Sequence, residues 1–433
     1  MKNFGMKKRE LQKSFKLWKK AQRLIPTGTQ TLSKAPSQFV YGVTPIFLEK
    51  GRGAYVWDID GNKYLDFVMA LGPIILGYDW PQVTKAVIKQ VHDGTVFTLP
   101  HPKEVELAEL IVESVPSVEM VRFGKNGADA TSAAVRVARA YTRRDHFAYC
   151  GYHGYQDWFA VTTSRNKGIP KILKSFAHTF EFNNIKSLER IFAENPKKIA
   201  AVIMEIPGQD PQDGFLKQVI EISHKNGAVF ILDEIVTGFR YSLGGAQEYY
   251  KIKPDLSCFG KAMANGFAIS AVAGKREIMK EFENVFFSTT FGGETSAIVA
   301  AIATLRELKK RKAFDHFWKL GLYWKNSFNK MAKTTGISAS VGGHGPRTHF
   351  EFKDKKGRES LLLKSLFLQE TIKEGVLFGS PIFMSLSHSM KDIENTLLIC
   401  QKALKKIKAA QNKGNLNRFL EGEPIGEVFR RRD

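Results

Sequence analysis

The chain of 433 residues is long enough for two or three domains with buried cores. A hydrophobic share of 43% and a charged share of 25% are typical of globular proteins and exclude a collagenous, coiled-coil or largely disordered chain. The three cysteines, Cys150, Cys258 and Cys400, are widely spaced and form no CxxC pair. This pattern argues against a disulfide framework and a zinc site, so we predict no metal and a reducing compartment.

Basic residues outnumber acidic ones by 65 to 43, which gives a formal net charge of +22. Such an excess attracts phosphates and raises the question of a nucleic-acid partner. The excess is concentrated in residues 1–25 and in the C-terminal tail, where apolar side chains recur as on a solvated amphipathic helix. Without a zinc-finger, helix-turn-helix or RNP-like motif, the sequence favours a solvated surface over nucleic-acid binding. With no secretory signal and no run of ~20 apolar residues, we expect a cytoplasmic protein without a membrane partner.

The predicted elements fall into three stretches along the chain. An opening helix ends near Pro26, and strand-like pieces with a hairpin turn at residues 60–62 follow at 38–41, 46–49, 54–57 and 64–67. The central stretch alternates helices (129–142, 215–226) with short apolar strands (147–149, 200–206, 228–235). The last stretch contains helices at 294–311, 315–332, 361–374 and 391–410 and a strand at 347–352.

Short buried strands that alternate with helices of this length indicate βαβ units. We therefore predict an α/β fold with a mostly parallel central sheet that is covered on both faces, and a smaller α+β domain. The predicted boundaries give an N-terminal arm and hairpin (1–65) that is part of the small domain, a large α/β domain (66–315) and a C-terminal α+β domain (316–433).

Acidic residues occur where two predicted strands end. One strand runs into Glu205, and another runs into Asp233-Glu234. Ligands of open α/β sheets bind beyond the carboxyl ends of the strands, so these carboxylates are candidates for a site. Taken one at a time, each is better explained by capping the next helix or by pairing with a basic residue such as Arg240.

Three further features indicate a cofactor site at the same edge. Residues 123–129 (FGKNGAD) lie before a long helix and offer backbone N–H groups to an anion. Lys261 stands among apolar residues, where desolvation disfavours its charge and makes the amine a nucleophile. Residues 288–293 (STTFGG) combine hydroxyls and glycines before another helix. A phosphate cradle, an acid, the aromatic ring of Tyr152 and a reactive lysine together describe a site for pyridoxal 5'-phosphate.

Over about residues 15–400, the sequence resembles the class III pyridoxal-phosphate-dependent aminotransferases of fold type I, and in particular the branch that contains glutamate-1-semialdehyde aminomutase. The resemblance rests on an ordered series of segments: 53–55 (GAY), 58–62 (DIDGN), 72–77 (GPIILG), 136–142 (RVARAYT), 230–240 (FILDEIVTGFR), 244–250 (GGAQEYY), 254–256 (PDL) and 260–261 (GK). It implies an α/β fold of type I, a homodimer with active sites at the subunit interface, and an amine donor with a keto or aldehyde acceptor.

The resemblance also implies roles for single residues. Lys261 would hold the cofactor as a Schiff base, and Asp233 would pair with its pyridine nitrogen. Val236 and Tyr152 would cover the two faces of the ring, and Glu205 would lie near it. The phosphate positions are Asn126, Gly127 and Ala128, together with Thr290, which would reach the cofactor of the neighbouring subunit. Asn126 departs from the pattern, because the family usually has a hydroxyl residue there.

Two departures bear on the reaction. The segment between His153 and residues 168–171 is shorter than the flexible lid of the aminomutases, which favours release of a keto product and ordinary ping-pong transamination. Lys34 stands where an aminomutase has an arginine for the substrate carboxylate, and lysine lacks the planar fork of arginine. Arg347 lies near a position where the family often binds a carboxylate, although structural pairing explains it equally well. The alternatives are an aminomutase, another pyridoxal-phosphate reaction such as epimerisation, and a basic binding protein on a retired enzyme fold.

Overall fold

The computed structural model describes residues 10–426, which form two compact units. One comprises residues 10–71, 76–80 and 315–426, and the other comprises residues 72–75 and 81–314. The basic residues at 2–9 and 430–432 lie outside the described range. Each unit is a set of residues that contact one another more than they contact the rest of the chain. Units of this kind do not test the three-part domain division drawn from the sequence, which stays a prediction.

The helices and strands are numbered in chain order. The helices are α1 (Gln12–Leu24), α2 (Pro81–Asp93), α3 (Pro102–Ser114), α4 (Gly127–Thr142), α5 (Asp157–Ala160), α6 (Ile185–Glu194), α7 (Phe215–Lys225), α8 (Gly245–Tyr249), α9 (Arg276–Met279), α10 (Thr295–Lys310), α11 (Ala313–Thr335), α12 (Leu361–Lys373) and α13 (Met390–Lys413). The strands are β1 (Leu48–Arg52), β2 (Tyr55–Asp58), β3 (Lys63–Asp66), β4 (Met120–Gly124), β5 (His146–Cys150), β6 (Ala177–Thr179), β7 (Ile199–Glu205), β8 (Val229–Glu234), β9 (Leu256–Phe259), β10 (Ser270–Gly274), β11 (Ala339–His344), β12 (Arg347–Phe352), β13 (Val376–Leu377) and β14 (Ile382–Phe383).

A seven-stranded sheet with the order β4-β10-β9-β8-β7-β5-β6 forms the centre of the larger unit. Only β10 runs antiparallel to its neighbours, so the predicted mostly parallel sheet is confirmed. On β7 and β8, alternate residues such as Ile203 and Ile231 pack with the small side chains of α4. The residues between them, such as Met204 and Leu232, are equally buried. Since successive residues of a strand point to opposite faces, both faces of the sheet are covered.

The smaller unit contains a four-stranded sheet (β1-β2-β3-β13) and a three-stranded antiparallel sheet (β11-β12-β14). The predicted hairpin turn joins β2 to β3, where the carboxylate of Asp58 accepts the N–H groups of Asp60 and Asn62. Aromatic rings fill the core around Trp324, whose ring lies 5.5–6.1 Å from those of Phe67, Phe328, Phe350 and Phe378. No helix among residues 10–426 is long and apolar enough to cross a membrane.

One predicted strand is wrong. Residues 38–41 were expected to be extended, but the backbone forms a 3₁₀ turn at Pro36–Gln38. Proline at the first position of the turn fixes φ and lacks an N–H for a β-ladder, which favours the turn. The apolar residues of this stretch are there because the turn is buried: Val40 is inaccessible to solvent, and Phe39 packs against the core. The other predicted elements are present, with most ends shifted by one to three residues.

Candidate active site

The candidate residues follow the carboxyl ends of five strands that share one edge of the seven-stranded sheet. In chain order, β4 leads to Asn126, β5 leads to Tyr152, β7 ends at Glu205, β8 contains Asp233 and β9 leads to Lys261. The strand register pairs Glu205 with Asp233 directly, and Asp233 with Cys258 on the other side. The parallel order of the strands therefore brings together residues that are up to 135 positions apart in the sequence.

The predicted anion cradle lies at the start of α4, but part of it is already engaged. The carboxylate of Asp129 accepts the N–H of Lys125 at 3.0 Å and that of Asn126 at 2.7 Å. The N–H groups of Lys125 and Asn126 thus already have an acceptor, and the phosphate role of Asn126 stays a prediction. The amides of Gly127 and Ala128 stand in the first turn, where they have no acceptor within the helix, so these two remain for a phosphate.

Asp233 is the central acid of the site, and its partner was missed by the sequence analysis. Its side chain is 4% exposed, and Oδ2 lies 2.7 Å from Nδ1 of the fully buried His153. Oδ1 accepts the backbone N–H of Ile235 at 3.0 Å. Because a carboxylate can only accept, Nδ1 of His153 carries the proton in this hydrogen bond. Among the described residues, Nε2 of His153 has no hydrogen-bond partner although it is buried.

The neighbouring acids have different surroundings from Asp233. Glu234 is buried, and its carboxylate accepts the N–H groups of Ala246 and Gln247, each at 2.9 Å, at the start of α8. Burial raises the pKa of Glu234, and these hydrogen bonds counteract the rise. Glu234 is therefore a helix-capping residue, as one of the two interpretations expected. Glu205 is half-buried and accepts the N–H of Tyr152 at 3.3 Å.

Lys261 begins a 3₁₀ turn directly after β9 and has a φ of 30°. A non-glycine residue in this region costs of order 1–3 kcal/mol, a strain that surrounding structure must hold and that is common at functional sites. The three residues after Lys261 are fully buried, which fixes the turn, whereas Lys261 itself is half-buried. Val236 is also half-buried, two residues beyond the end of β8.

Tyr152 is 48% exposed, and its ring packs edge-on against Phe159 with the centroids 5.5 Å apart. Burial of the hydroxyl raises the pKa of Tyr152, and the charge of Asp233 adds to the effect. The tyrosine is therefore held by its edge while part of its surface stays accessible. That arrangement suits a ring that stacks on a flat ligand.

The remaining candidates are Thr290 in the larger unit and Lys34 and Arg347 in the smaller unit. Thr290 is exposed in the segment before α10, where neighbouring Phe287 accepts hydrogen bonds from Arg122. Lys34 is exposed at the end of the 3₁₀ turn Leu32–Lys34, and Arg347 is half-buried at the start of β12, both in the smaller unit. Their predicted roles toward a partner's cofactor or a substrate stay predictions.

Residues 38–404 match the family model described as aminotransferase class III, so the chain belongs to the class III aminotransferase family. It is 35% identical over 427 residues to a glutamate-1-semialdehyde 2,1-aminomutase of Thermodesulfovibrio yellowstonii, an alignment that covers 91% of this chain and 99% of the relative. It is also 35% identical over 413 residues to a 3-aminobutyryl-CoA aminotransferase of Cloacimonas acidaminovorans (93% and 99% covered). The FumI protein of Sphingopyxis sp. MTA144, solved with pyridoxal phosphate, superposes with a TM-score of 0.87 at 26% identity (94% and 100% covered).

The protein is thus a pyridoxal-phosphate-dependent enzyme of fold type I with aminotransferase or aminomutase activity. The residues of the chain fit this cofactor. Two amides at a helix start suit its phosphate, a buried hydrogen-bonded carboxylate suits its ring nitrogen, and a half-buried lysine suits its aldehyde.

Proposed function

We propose that the protein is an aminotransferase that moves an amino group from an amine donor to a keto or aldehyde acceptor in two half-reactions. The observation that carries this proposal over an aminomutase is the short segment after Tyr152-His153. An aminomutase must retain its substrate until the amino group is returned to the adjacent carbon. An aminotransferase must instead release one product before it binds the second substrate.

The segment after His153 is anchored by two aromatic side chains of α5. Nε1 of Trp158 donates to Oγ of Ser132 at 2.7 Å, and the Trp158 ring lies 5.0 Å from that of Phe147. Phe159 is 3% exposed and packs edge-on against Tyr152 and His153. Freeing both rings would expose apolar surface at a cost of roughly 3–6 kcal/mol. A short segment that is fixed in this way is poorly suited to act as a mobile lid, which supports release of the keto product.

Pyridoxal phosphate supplies an electron sink that stabilises negative charge on the carbon next to the substrate nitrogen. In this proposal Lys261 is the covalent anchor, and as a free amine it moves the proton at that carbon. The carboxylate of Asp233 keeps the ring nitrogen protonated, and His153 and the Ile235 amide hold the carboxylate in place. Tyr152 and Val236 would cover the ring, Glu205 would lie near it, and the amides of Gly127 and Ala128 would donate to the phosphate.

An aminomutase is the second candidate function, because the identity to the Thermodesulfovibrio aminomutase equals that to the Cloacimonas aminotransferase. Product analysis separates the two. An aminomutase moves the amino group within one molecule and needs no second keto acid. An aminotransferase consumes a keto or aldehyde acceptor in a molar amount equal to its product.

We also propose a homodimer whose two active sites lie at the interface, with Thr290 directed to the partner's cofactor. Exposed apolar side chains in the larger unit support an interface near this residue. They are Val96, Phe97, Leu99, Val105, Phe286 and Phe291. The two segments that carry them are joined where Thr295 donates to the carbonyls of Gly94 and Thr95. Several large apolar side chains exposed on neighbouring segments are typical of protein interfaces.

The absorbance spectrum of the purified protein tests the function. We expect a visible cofactor band that an amine donor such as L-glutamate bleaches and a keto acid restores. Lys261→Ala should abolish turnover but still bind the cofactor through its phosphate. A variant with unchanged activity would contradict the role of Lys261, and a band that no common donor bleaches would favour the aminomutase.

A further inference from the structure

The turn that begins at Lys261 is bracketed by two residues with a left-handed backbone. Lys261 has a φ of 30°, and Asn265, which follows the 3₁₀ turn Lys261–Ala264, has a φ of 45°. Residues other than glycine adopt this region only at a cost, so the surrounding structure must hold both of them there. One short turn thus links the backbone conformations of Lys261 and Asn265.

Packing holds the middle of this turn, and a hydrogen bond holds its C-terminal end. Ala262, Met263 and Ala264 are fully buried, and α10 packs against the turn. Directly after Asn265 the chain becomes exposed, at residues 266–268. Apolar packing has no preferred direction, whereas a hydrogen bond does. The bond made by Asn265 is therefore suited to fix the direction in which the backbone leaves the turn.

This hydrogen bond joins the turn to Gly72–Ile75, a segment of the same larger unit. Asn265 is 7% exposed, and its Oδ1 accepts the N–H of Ile75 at 3.0 Å. Ile75 is inaccessible to solvent, and a Cβ added to the adjacent Gly266 would lie only 2.7 Å from Cδ1 of Ile74. A buried N–H that loses its acceptor is costly, so the Asn265 side chain stabilises this close approach.

The other end of the segment is tied to the connection that follows β8. The fully buried guanidinium group of Arg240 donates to the carbonyl of Gly72. Arg240 lies seven positions after Asp233 along the chain. The segment Gly72–Ile75 therefore bridges two connections, one that follows Asp233 and one that begins with Lys261. Supporting contacts of this kind hold the functional groups of a site in their relative positions.

Backbone preference alone does not explain an asparagine at position 265. Asparagine adopts the left-handed region more readily than most residues, but glycine does so without steric cost. Asn415 is an example of the simpler case, because it has a φ of 42°, is exposed, and caps no N–H group with its side chain. At position 265 the side chain is instead buried and bonded to Ile75. The distinguishing feature of Asn265 is thus its carboxamide.

We propose that Asn265 is a positioning residue for Lys261, because it ties the Lys261 turn to Gly72–Ile75. The inference rests on the proposed function, in which Lys261 is the covalent anchor of pyridoxal phosphate. When the anchor forms, the Lys261 amine adds to the aldehyde carbon, a C=N bond replaces the C=O bond, and one water molecule leaves. Such a step requires a narrow range of distance and direction.

Loss of the Asn265 hydrogen bond changes that geometry. A left-handed residue that is no longer held relaxes toward an ordinary backbone region, and this relaxation redirects its side chain. The lost bond also leaves the buried N–H of Ile75 without an acceptor. An energetic change of this size corresponds to roughly a tenfold change in rate. Formation of the bond between Lys261 and the cofactor should slow by this factor.

The first test measures how fast the cofactor-free protein captures pyridoxal 5'-phosphate. Asn265→Gly removes the acceptor and suits a positive φ, whereas Asn265→Asp retains an acceptor and tolerates this φ. Asn415→Gly is the matched control. After mixing, the cofactor band should appear roughly tenfold more slowly in Asn265→Gly, and within about threefold of the wild-type rate in the other two variants. An unchanged rate in Asn265→Gly, or equally slow capture in Asn265→Asp, would overturn the proposal.

The second measurement separates positioning of Lys261 from general damage to the site. Pyridoxamine 5'-phosphate has the ring and the phosphate but no aldehyde, so it forms no bond with Lys261. Its Kd should stay within about twofold of the wild-type value in Asn265→Gly, and a thermal melt shows that the variant is folded. A Kd that rises by the same factor as the capture rate falls would refute positioning.

A third measurement needs no cofactor. The amide of Ile75 should exchange its hydrogen roughly tenfold faster in Asn265→Gly than in the wild type, because its acceptor is gone. Unchanged exchange would show that Asn265 does not hold the segment and would overturn the proposal.

Labelling distinguishes failure of this proposal from failure of the proposed function. Borohydride reduction of the wild-type protein, followed by peptide mass spectrometry, shows which lysine carries the cofactor. A label on another lysine would overturn the role of Lys261 and its positioning together. A label on Lys261 combined with an unchanged capture rate in Asn265→Gly would overturn the positioning alone.

Discussion

Replacing His153 by phenylalanine should lower kcat/KM while the cofactor stays bound. His153 donates from Nδ1 to the buried carboxylate of Asp233 at 2.7 Å. Phenylalanine keeps a planar ring that can pack against Phe159, but it removes the donor. The carboxylate then retains the Ile235 N–H as its one other described hydrogen bond. Since the lost bond holds the carboxylate in place, its removal should weaken the stabilisation that Asp233 would give to the ring nitrogen of the cofactor.

The size of the effect follows from the hydrogen bond. A hydrogen bond to a charged group contributes about 1.5–3 kcal/mol, and about 1.4 kcal/mol corresponds to a tenfold change in rate. If this stabilisation is lost in the transition state, kcat/KM should fall roughly 10- to 100-fold.

The assay is kcat/KM at one pH for wild type, His153→Phe and His153→Asn. Asparagine keeps an N–H donor near the position of Nδ1, so it should restore most of the wild-type value. Cofactor absorbance and a thermal melt show that each variant is folded and loaded. A loaded His153→Phe with kcat/KM within about twofold of wild type would refute the idea that the His153 hydrogen bond supports the role of Asp233.

Three further predictions concern other parts of the chain. Gly154→Ala should weaken cofactor binding roughly tenfold, because the new Cβ would lie 2.8 Å from that of Ala128. The control Gly168→Ala also has a positive φ but meets no atom within 4 Å, so equal losses of affinity would contradict this reasoning. Glu234→Ala should lower the free energy of unfolding by about 2–4 kcal/mol, because it leaves two buried N–H groups at the start of α8 unpaired. A melting temperature within about 1–2 °C of the wild-type value would argue against this prediction. Burial lowers the pKa of His388 to about 4 in the folded protein, whereas in the unfolded chain the pKa is about 6.5. Between these two pH values the unfolded chain binds a proton that the folded protein does not, so acidification from about pH 6.5 to pH 4 should lower the free energy of unfolding by up to about 3 kcal/mol. Melting temperatures of wild type and His388→Gln across this pH range check it, and parallel slopes would show that His388 is not responsible.

The sequence alone determined the parts of this protein that depend on local pattern. Short apolar runs between amphipathic helices predicted the mostly parallel sheet, because strands buried on both faces read as continuous apolar segments. Motif order around Lys261 and Asp233 predicted the family and the cofactor, since these residues follow strands whose carboxyl ends meet at one edge. The strand expected at 38–41 failed because apolar residues mark burial as readily as they mark extended backbone.

The tertiary structure decided which polar groups are partners, because those contacts join distant positions. His153 and Asp233 are 80 residues apart, and only the placement of β5 and β8 in one sheet brings them within hydrogen-bonding distance. The same holds for Glu234, because its carboxylate accepts an N–H group at the start of α8, whereas the carboxylate of the adjacent Asp233 pairs with His153. Glu423 donates its N–H to the carbonyl of Tyr41 across more than 380 positions, and no sequence periodicity encodes such a backbone-to-backbone contact. Local pattern fixes the elements, whereas their packing fixes which donors meet which acceptors.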